Sequence, residues 1–447
     1  MNIQEIRTQF VSYYKELGFQ LLPRAPMLHP SIPMSFVMSA GLVQIETSLS
    51  KAKNRSGNKF MLVQDCFRHF DLENVGKDNI HLSLFEMPGA FVFSKDGKQQ
   101  TIRYMWELAT EQFGINPNRI WASYFGGDKL NGQKIPEDES TREAWIELGL
   151  SEERLIRKGI DQNYWLQGGS VLNNEASFRK CGPNTELFYD RGKELSCNET
   201  CQPGCKCGRF IEFTNSLFIS YELNPQKNVL TQIADPFIET VIGTERVAMI
   251  LQGVDSVFET EFYQPVMDFI YQFINCNNLS SDLINSSVRV IADHLRALIV
   301  LIADGAPPPG RNGRQRIIKL LIRGVLTRQI LLSIKSKEFL SILIRLIIKI
   351  FNYSRLVKSE TEKTLLEYFQ VESLRFYKTI EKGEQKIDKV LQENKGRTLT
   401  GSQILLLEKK YGLPHLLSEF LLREKGLKFE KTDYQLKLTE WKKCNYN

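Results

Sequence analysis

The feature that most constrains this chain is a change of periodicity at Gly243. Before it, short β-rich runs at 119–125, 187–189 and 210–213 alternate with turns. Helical spacing there covers 1–20, where Ile6, Phe10, Tyr13, Tyr14 and Leu17 recur, and a few further stretches such as 101–113. After it, the segments 244–251, 261–274, 286–303, 315–350 and 360–391 are long and helix-periodic, broken by a loop at 304–313 with three prolines and three glycines. The pattern predicts an α+β domain over 1–253, built on a mainly antiparallel sheet flanked by helices, and an all-helical domain over 254–447. With 42% apolar residues and 27 Phe, the 447-residue chain can bury a core and is not disordered. No apolar run nears the roughly 18 residues of a membrane span, and the charged N-terminus lacks a signal-peptide core. The expectation is a soluble, cytoplasmic protein with no membrane partner.

Charge is unevenly placed. Between 311 and 350 ten basic residues face only Glu338, so this stretch carries +9 while the other 407 residues sum to −3. That is the footprint of a polyanion binder, or equally of a solvated helix face.

Four of the eight cysteines, Cys197, Cys201, Cys205 and Cys207, fall within the loop 197–207 at C-x3-C-x3-C-x-C spacing, with Pro203 and Gly204 between them. Turn residues among four clustered thiols suit a structural Zn²⁺ site, since four thiolates leave no open catalytic position. The alternative is four unrelated thiols. Cys66, Cys181, Cys276 and Cys444 are scattered.

Two segments carry a more specific chemistry. Cys66-Phe67-Arg68 is followed, after a polar loop, by His81-Leu82-Ser83-Leu84-Phe85-Glu86-Met87. A guanidinium fork can bridge an α-phosphate and a carboxylate, a histidine can reach terminal phosphates, and a phenyl ring offers a flat face to adenine. Taken singly, Arg68 also reads as a surface cation, His81 as a satisfied polar residue and Phe85 as core. Glu239-Thr240-Val241-Ile242-Gly243-Thr244-Glu245-Arg246-Val247 reads as a strand, a glycine and an arginine early in a helix.

In this order the two segments resemble motifs 2 and 3 of class II aminoacyl-tRNA synthetases. Asp71-Leu72-Glu73-Asn74-Val75-Gly76, Phe85-Glu86-Met87-Pro88-Gly89-Ala90-Phe91 and Cys181-Gly182-Pro183-Asn184-Thr185-Glu186-Leu187-Phe188-Tyr189-Asp190 narrow the resemblance to the alanyl-tRNA synthetases. So do Val290-Ile291-Ala292-Asp293-His294-Leu295-Arg296, Leu301-Ile302-Ala303-Asp304-Gly305 and Tyr411-Gly412-Leu413-Pro414. The likeness runs from Ile6 to about Lys443 and covers the aminoacylating half of the family. It implies that Arg68, His81, Phe85 and Arg246 bind ATP with Mg²⁺, Arg68 and Arg246 acting in catalysis. It further implies that Trp165, Asn215, Leu217 and Val241 line an amino-acid pocket and that Glu239 holds the substrate ammonium. The stretch 313–323 resembles the family's basic helix that meets the tRNA acceptor stem, with Asn312, Arg314, Arg316, Lys319 and Arg323 as contacts. The expected activity is an alanyl-type aminoacyl-tRNA ligase. The family's editing and C-terminal oligomerisation domains find no counterpart, so a monomer without editing is expected.

This chain departs from the family's pattern in places. The family has Asp at Glu239 and Gly at Val241, so the pocket is narrowed for a small amino acid such as alanine or glycine. Ile80 replaces an Arg, Thr214 replaces a Trp, and the acidic reader of the acceptor-stem wobble pair falls on Lys409. Two further readings therefore stand: a paralogue that activates a small amino acid for an atypical or non-tRNA acceptor, and a non-catalytic RNA-binding protein.

Overall fold

The computed structural model describes residues 1–29, 32, 37–38, 41, 58–69, 72–130, 132–167, 178–224, 229–276, 279–394 and 398–446. Helix α1 (Ile3–Glu16) starts at a capping box made by Asn2 and Glu5 and buries Ile6, Phe10, Tyr13 and Tyr14, the stripe that the spacing predicts. Strands β1 (Gln20–Leu21), β2 (Lys59–Phe67) and β3 (Leu84–Val92) follow, then helix α2 (Lys98–Glu107). Next come β4 (Ile120–Phe125), the small hairpin β5 (Asp128–Leu130) and β6 (Gln133–Ile135), helix α3 (Glu139–Glu147), β7 (Leu155–Lys158) and β8 (Tyr164–Leu166). Three long strands complete the sheet: β9 (Arg179–Asp190), β10 (Phe210–Asn224) and β11 (Val229–Ile242).

The main sheet has the order β1-β2-β3-β11-β10-β9-β4-β7, with β8 also pairing β9. It is antiparallel except at its edges, where β1 on β2 and β7 on β4 run parallel. One face carries small buried side chains in register, Thr185, Ser216, Thr240 and Ala90, against which helices pack. Trp145 of α3 sits there fully buried and donates from Nε1 to Thr185 Oγ1 at 2.8 Å. The α+β fold class expected above is the one observed. Gly182 allows β9 to come close to β10, since a Cβ there would lie 1.9 Å from the Phe218 carbonyl oxygen.

After β11, Gly243 opens helix α4 (Thr244–Gln252), and α5 (Tyr263–Tyr271) follows. The remaining helices are α6 (Ser281–Ala303), α7 (Gly313–Leu331), α8 (Phe339–Ile350), α9 (Thr361–Asn394), α10 (Gly401–Tyr411), α11 (His415–Glu424) and α12 (Lys431–Tyr446). Helix α6 is buried all round from Val290 to Ile302, the mark of a core helix, and packs against α7, α8 and α9. The expected helix over 315–350 is two helices. It breaks at Ser333, which takes φ 53° and closes a glycine-type cap through Ser333 N–H to Ile330 O and Ile334 N–H to Gln329 O. No glycine marks that stop, so the periodicity reads through it.

The chain forms two compact units. One comprises Met1–Pro33, Val37–Arg68 and Asp78–Gln264; the other comprises Met34–Phe36, His69–Lys77 and Pro265–Asn447. The segment 69–77 thus belongs with the helices: Glu73 pairs with Lys442 of α12, and Gly76 (φ 78°) lies against Ser286, leaving no room for a Cβ. Among the described residues no helix is long and apolar enough to cross a membrane.

Candidate active site

Strand register builds the site. Alternate residues of a strand share a face, and directly paired residues lie side by side on it. Pairing aligns Asn184 with Leu217, Leu217 with Glu239, Glu239 with Phe91 and Phe91 with Phe60. The next row on the same face is Glu186, Asn215, Val241, Gly89 and Leu62. Further along, Phe188 pairs with Glu212 on one side, and Phe85 pairs with Cys66, two residues before Arg68, on the other. One sheet face therefore brings together Arg68, Phe85, Asn215, Leu217, Glu239 and Val241. Trp165, on β8, packs partly buried against the cluster of Phe60, Leu62, Phe91 and Leu217.

Individual contacts complete the geometry. The Arg68 guanidinium lies 5.0 Å from the centre of the Phe85 ring, a cation–π contact. His81 is held by Asp78, which accepts from the ring Nδ1 and, at 2.9 Å, from the His81 backbone N–H. Burial acts to raise the Asp78 carboxyl, but hydrogen bonds from His81 and from the Ile80 backbone outweigh it and hold the group below the usual carboxylate range. Arg246, in the first turn of α4, donates to the Glu212 carbonyl at 3.0 Å and to Glu212 Oε2 at 3.2 Å. Glu239 is buried at 2% exposure. Thr214 donates from Oγ1 to the Val241 carbonyl at 2.8 Å. Asp71 of the loop pattern lies outside the described residues.

Three groups on this face, and Asp78 in the loop beside His81, went unseen in the sequence. Glu186 accepts from Asn215 Nδ2 at 3.2 Å and from Ser123 Oγ at 3.3 Å. Burial, then the Glu212 carboxylate, push its carboxyl up to about 8. Glu212 lies near enough for its charge to oppose ionisation of Glu186, a like-charge arrangement that a hard divalent cation would relieve. Asn184 and Asp78 are the others. Asp78-x-x-His81 spacing was a usable signal for the latter; the others depend on pairing between distant strands.

The four cysteines do converge. The sulfurs of Cys197, Cys201 and Cys205 all lie within 4.8 Å of one another, and Cys201 and Cys207 are 3.5 Å apart. Burial and then hydrogen bonds to the neighbouring thiols push Cys197 up to about 12. At Cys201 burial is outweighed by hydrogen bonds from the Cys197 backbone and Ser196, bringing it to about 6. The loop packs on Phe188, Phe210 and Trp121, and Lys158 donates to the Pro203 carbonyl at 2.7 Å. Soft thiols at this spacing fit a tetrahedral metal ion.

In the helical unit, Asn312 is the N-cap residue of α7, its side chain making no capping bond. Arg316 is exposed, and Arg314 and Lys319 are half-buried. Burial, then the nearby Arg323, hold the Lys319 ammonium below its ordinary value. Arg323 does not stand with the exposed cations as the helical spacing suggests. Its Nε donates to buried Glu372 at 2.6 Å, and the guanidinium lies 5.0 Å from the Phe376 ring centre. Lys409 pairs with Glu408 at 2.9 Å and lies over the Trp441 ring.

A catalytic-type face on an antiparallel sheet followed by a helical unit points to one class of protein. The chain matches the model for tRNA synthetases class II (A) over residues 5–445 and belongs to that family. It is 30% identical to the alanine–tRNA ligase of Alkaliphilus metalliredigens over 442 residues, 97% of this chain and 48% of that protein. The alanine–tRNA ligase of Leptospira interrogans serogroup Icterohaemorrhagiae serovar copenhageni is 30% identical over 476 residues, 98% of this chain and 46% of its own length. That of Clostridioides difficile is 28% identical over 447 residues, 99% and 48% respectively. The chain spans about half the length of the curated relatives it matches.

Proposed function

We propose that this chain is an alanyl-type aminoacyl-tRNA ligase. The observation that carries the reading is the register that lines up Arg68, Phe85, Val241, Asn215, Leu217 and Glu239 on one sheet face. Glu239 takes the amino-acid ammonium, while Leu217, Val241 and Trp165 bound the side-chain space. Arg68 contacts the α-phosphate and the attacking carboxylate, Phe85 the adenine, His81 the terminal phosphates and Arg246 the γ-phosphate. The carboxylate oxygen attacks the α-phosphorus in line and pyrophosphate leaves, giving the aminoacyl adenylate. The hydroxyl of a tRNA 3′-terminal adenosine then attacks the carbonyl carbon and AMP leaves. No general base or covalent nucleophile is required in the first step, because positioning and electrostatics do the work. Glu186 and Glu212 would hold Mg²⁺, which supplies charge neutralisation on the phosphates.

Asn312, Arg314, Arg316 and Lys319 meet the acceptor stem, with Arg323 bracing their helix through Glu372. The thiolates of Cys197, Cys201, Cys205 and Cys207 hold one structural Zn²⁺. A second reading, activation for an atypical acceptor, is favoured by one observation: Lys409, in place of an acid, is tied to Glu408. Charging of total tRNA with labelled alanine separates the two. Base-labile alanine on RNA supports the ligase, whereas adenylate formation without RNA labelling overturns it in favour of the second reading.

A further inference from the structure

Strand β11 pairs with β3 from Ile238 on Val92 to Val241 on Gly89, after which the chain turns through Gly243 into α4. The ladder between these strands therefore stops short of Glu86, and the first turn of α4 takes over there. The Glu86 N–H donates to both carboxylate oxygens of Glu245, each at 3.1 Å. A helix carboxylate thus stands where a strand carbonyl would otherwise meet this donor. The Glu86 side chain ties the same two elements a second time. Its Oε1 accepts from Thr244 Oγ1 at 3.1 Å, and its Oε2 is paired with Arg7 of α1. Glu86, Thr244 and Glu245 are all buried. Two carboxylates so close in the interior repel, and they hold together only through the donors and the cation gathered round them.

The neighbours of this clasp give it a use. Glu86 follows Phe85, and Glu245 precedes Arg246. Successive strand side chains point to opposite faces, so Phe85 lies on the face of the candidate site and Glu86 on the back of the sheet. Arg246 turns the other way from Glu245 and reaches Glu212. A grip on the back therefore fixes Phe85, with the Arg68 guanidinium 5.0 Å from its ring centre, relative to Arg246. We propose that Glu86, holding Thr244 and Glu245 and braced by Arg7, is a positioning residue that sets the spacing between the Arg68–Phe85 pair and Arg246. It touches no substrate and acts through Arg246. The inference rests on the activation reading above, in which Phe85 takes the adenine and Arg246 the γ-phosphate. Glu239 is held separately, by ladder pairing with Phe91, so the amino-acid ammonium should bind independently of the clasp.

ATP–pyrophosphate exchange by the full chain tests this, with KM measured separately for ATP and for alanine. Thr244→Val removes one hydroxyl at nearly constant shape. It should raise KM for ATP about tenfold and leave KM for alanine within about twofold, since the hydrogen bond lost is one to a charged group at the clasp. Thr244→Ser, which keeps the hydroxyl, should recover the wild-type values. In an Arg246→Ala background, Thr244→Val should add about twofold or less, because its effect runs through that arginine. Arg7→Gln reaches the clasp from its partly exposed end on α1 and should raise KM for ATP in the same direction, which keeps the test open if the Val variant fails to fold. An unchanged KM for ATP in either folded variant, or full additivity with Arg246→Ala, would overturn the proposal and leave the activation reading in place. Equal rises in both KM values would reduce the network to a support of the fold and overturn it as well. Absence of exchange by the wild type would instead overturn the activation reading, and this inference with it.

Discussion

At the scale of single residues, two members of the proposed site lead to sharp predictions. Arg68 is proposed to meet charge that develops at the α-phosphorus. Arg68→Ala should therefore lower pyrophosphate exchange by about 10²–10³ with an unchanged circular-dichroism spectrum. Wild-type exchange in the variant would remove Arg68 from the mechanism. Glu186 predicts a pH effect. Its folded carboxyl is held up at about 8, against an ordinary value of 4.5, by burial and by Glu212. The folded chain thus binds this proton more tightly than the unfolded one. The stabilisation is complete below about 4.5 and is lost as pH rises towards about 8. Glu186→Gln cannot ionise, so urea midpoints should shift in favour of the variant between pH 5 and 8.5. A constant difference across that window would contradict the burial argument. Arg68, His81, Phe85 and Arg246 could be singled out in the sequence as candidates because their residue types and order are tied to nucleotide chemistry. Glu186 and Asn184 could not, since a carboxylate or amide in a β-run signals nothing until the facing strand is known.

At the scale of elements, legibility follows the range of the interaction. The α1 stripe, the 304–313 loop and the strand–glycine–helix passage at Gly243 depend on local spacing and were readable. The stop at Ser333 was not, because serine there does what glycine usually does. Arg323 was misread for a different reason: its partner Glu372 lies 49 residues away on α9, and helical periodicity cannot see it. Arg323→Ala leaves a fully buried carboxylate without its main partner and should cost on the order of 3 kcal/mol. Thermal melts in which that variant matches wild type would show the pair to be dispensable. The cysteine loop predicts about one Zn²⁺ per chain, with chelation lowering the melting temperature of the sheet unit. Protein prepared without chelators and found free of metal by elemental analysis would contradict the site.

The whole molecule pairs a sheet unit bearing the candidate activation face with a helical unit bearing the basic stretch. The change of periodicity at Gly243 led to an expected boundary after 253, whereas the two units divide the chain between Gln264 and Pro265, and the helical unit also takes in the segment 69–77, which lies early in the chain. For the helical unit, tRNA binding should weaken steeply with salt, and Arg316→Ala/Lys319→Ala should lower the log–log salt slope by about two. Equal slopes would reduce α7 to a solvated face. The central claim is that the face spanning Arg68 to Glu239 activates a small amino acid. The most direct test is ATP–pyrophosphate exchange by the full chain with each of the twenty amino acids. The account predicts exchange confined to alanine, glycine and serine and abolished in Glu239→Ala; exchange driven best by a large amino acid, or by none, would contradict it.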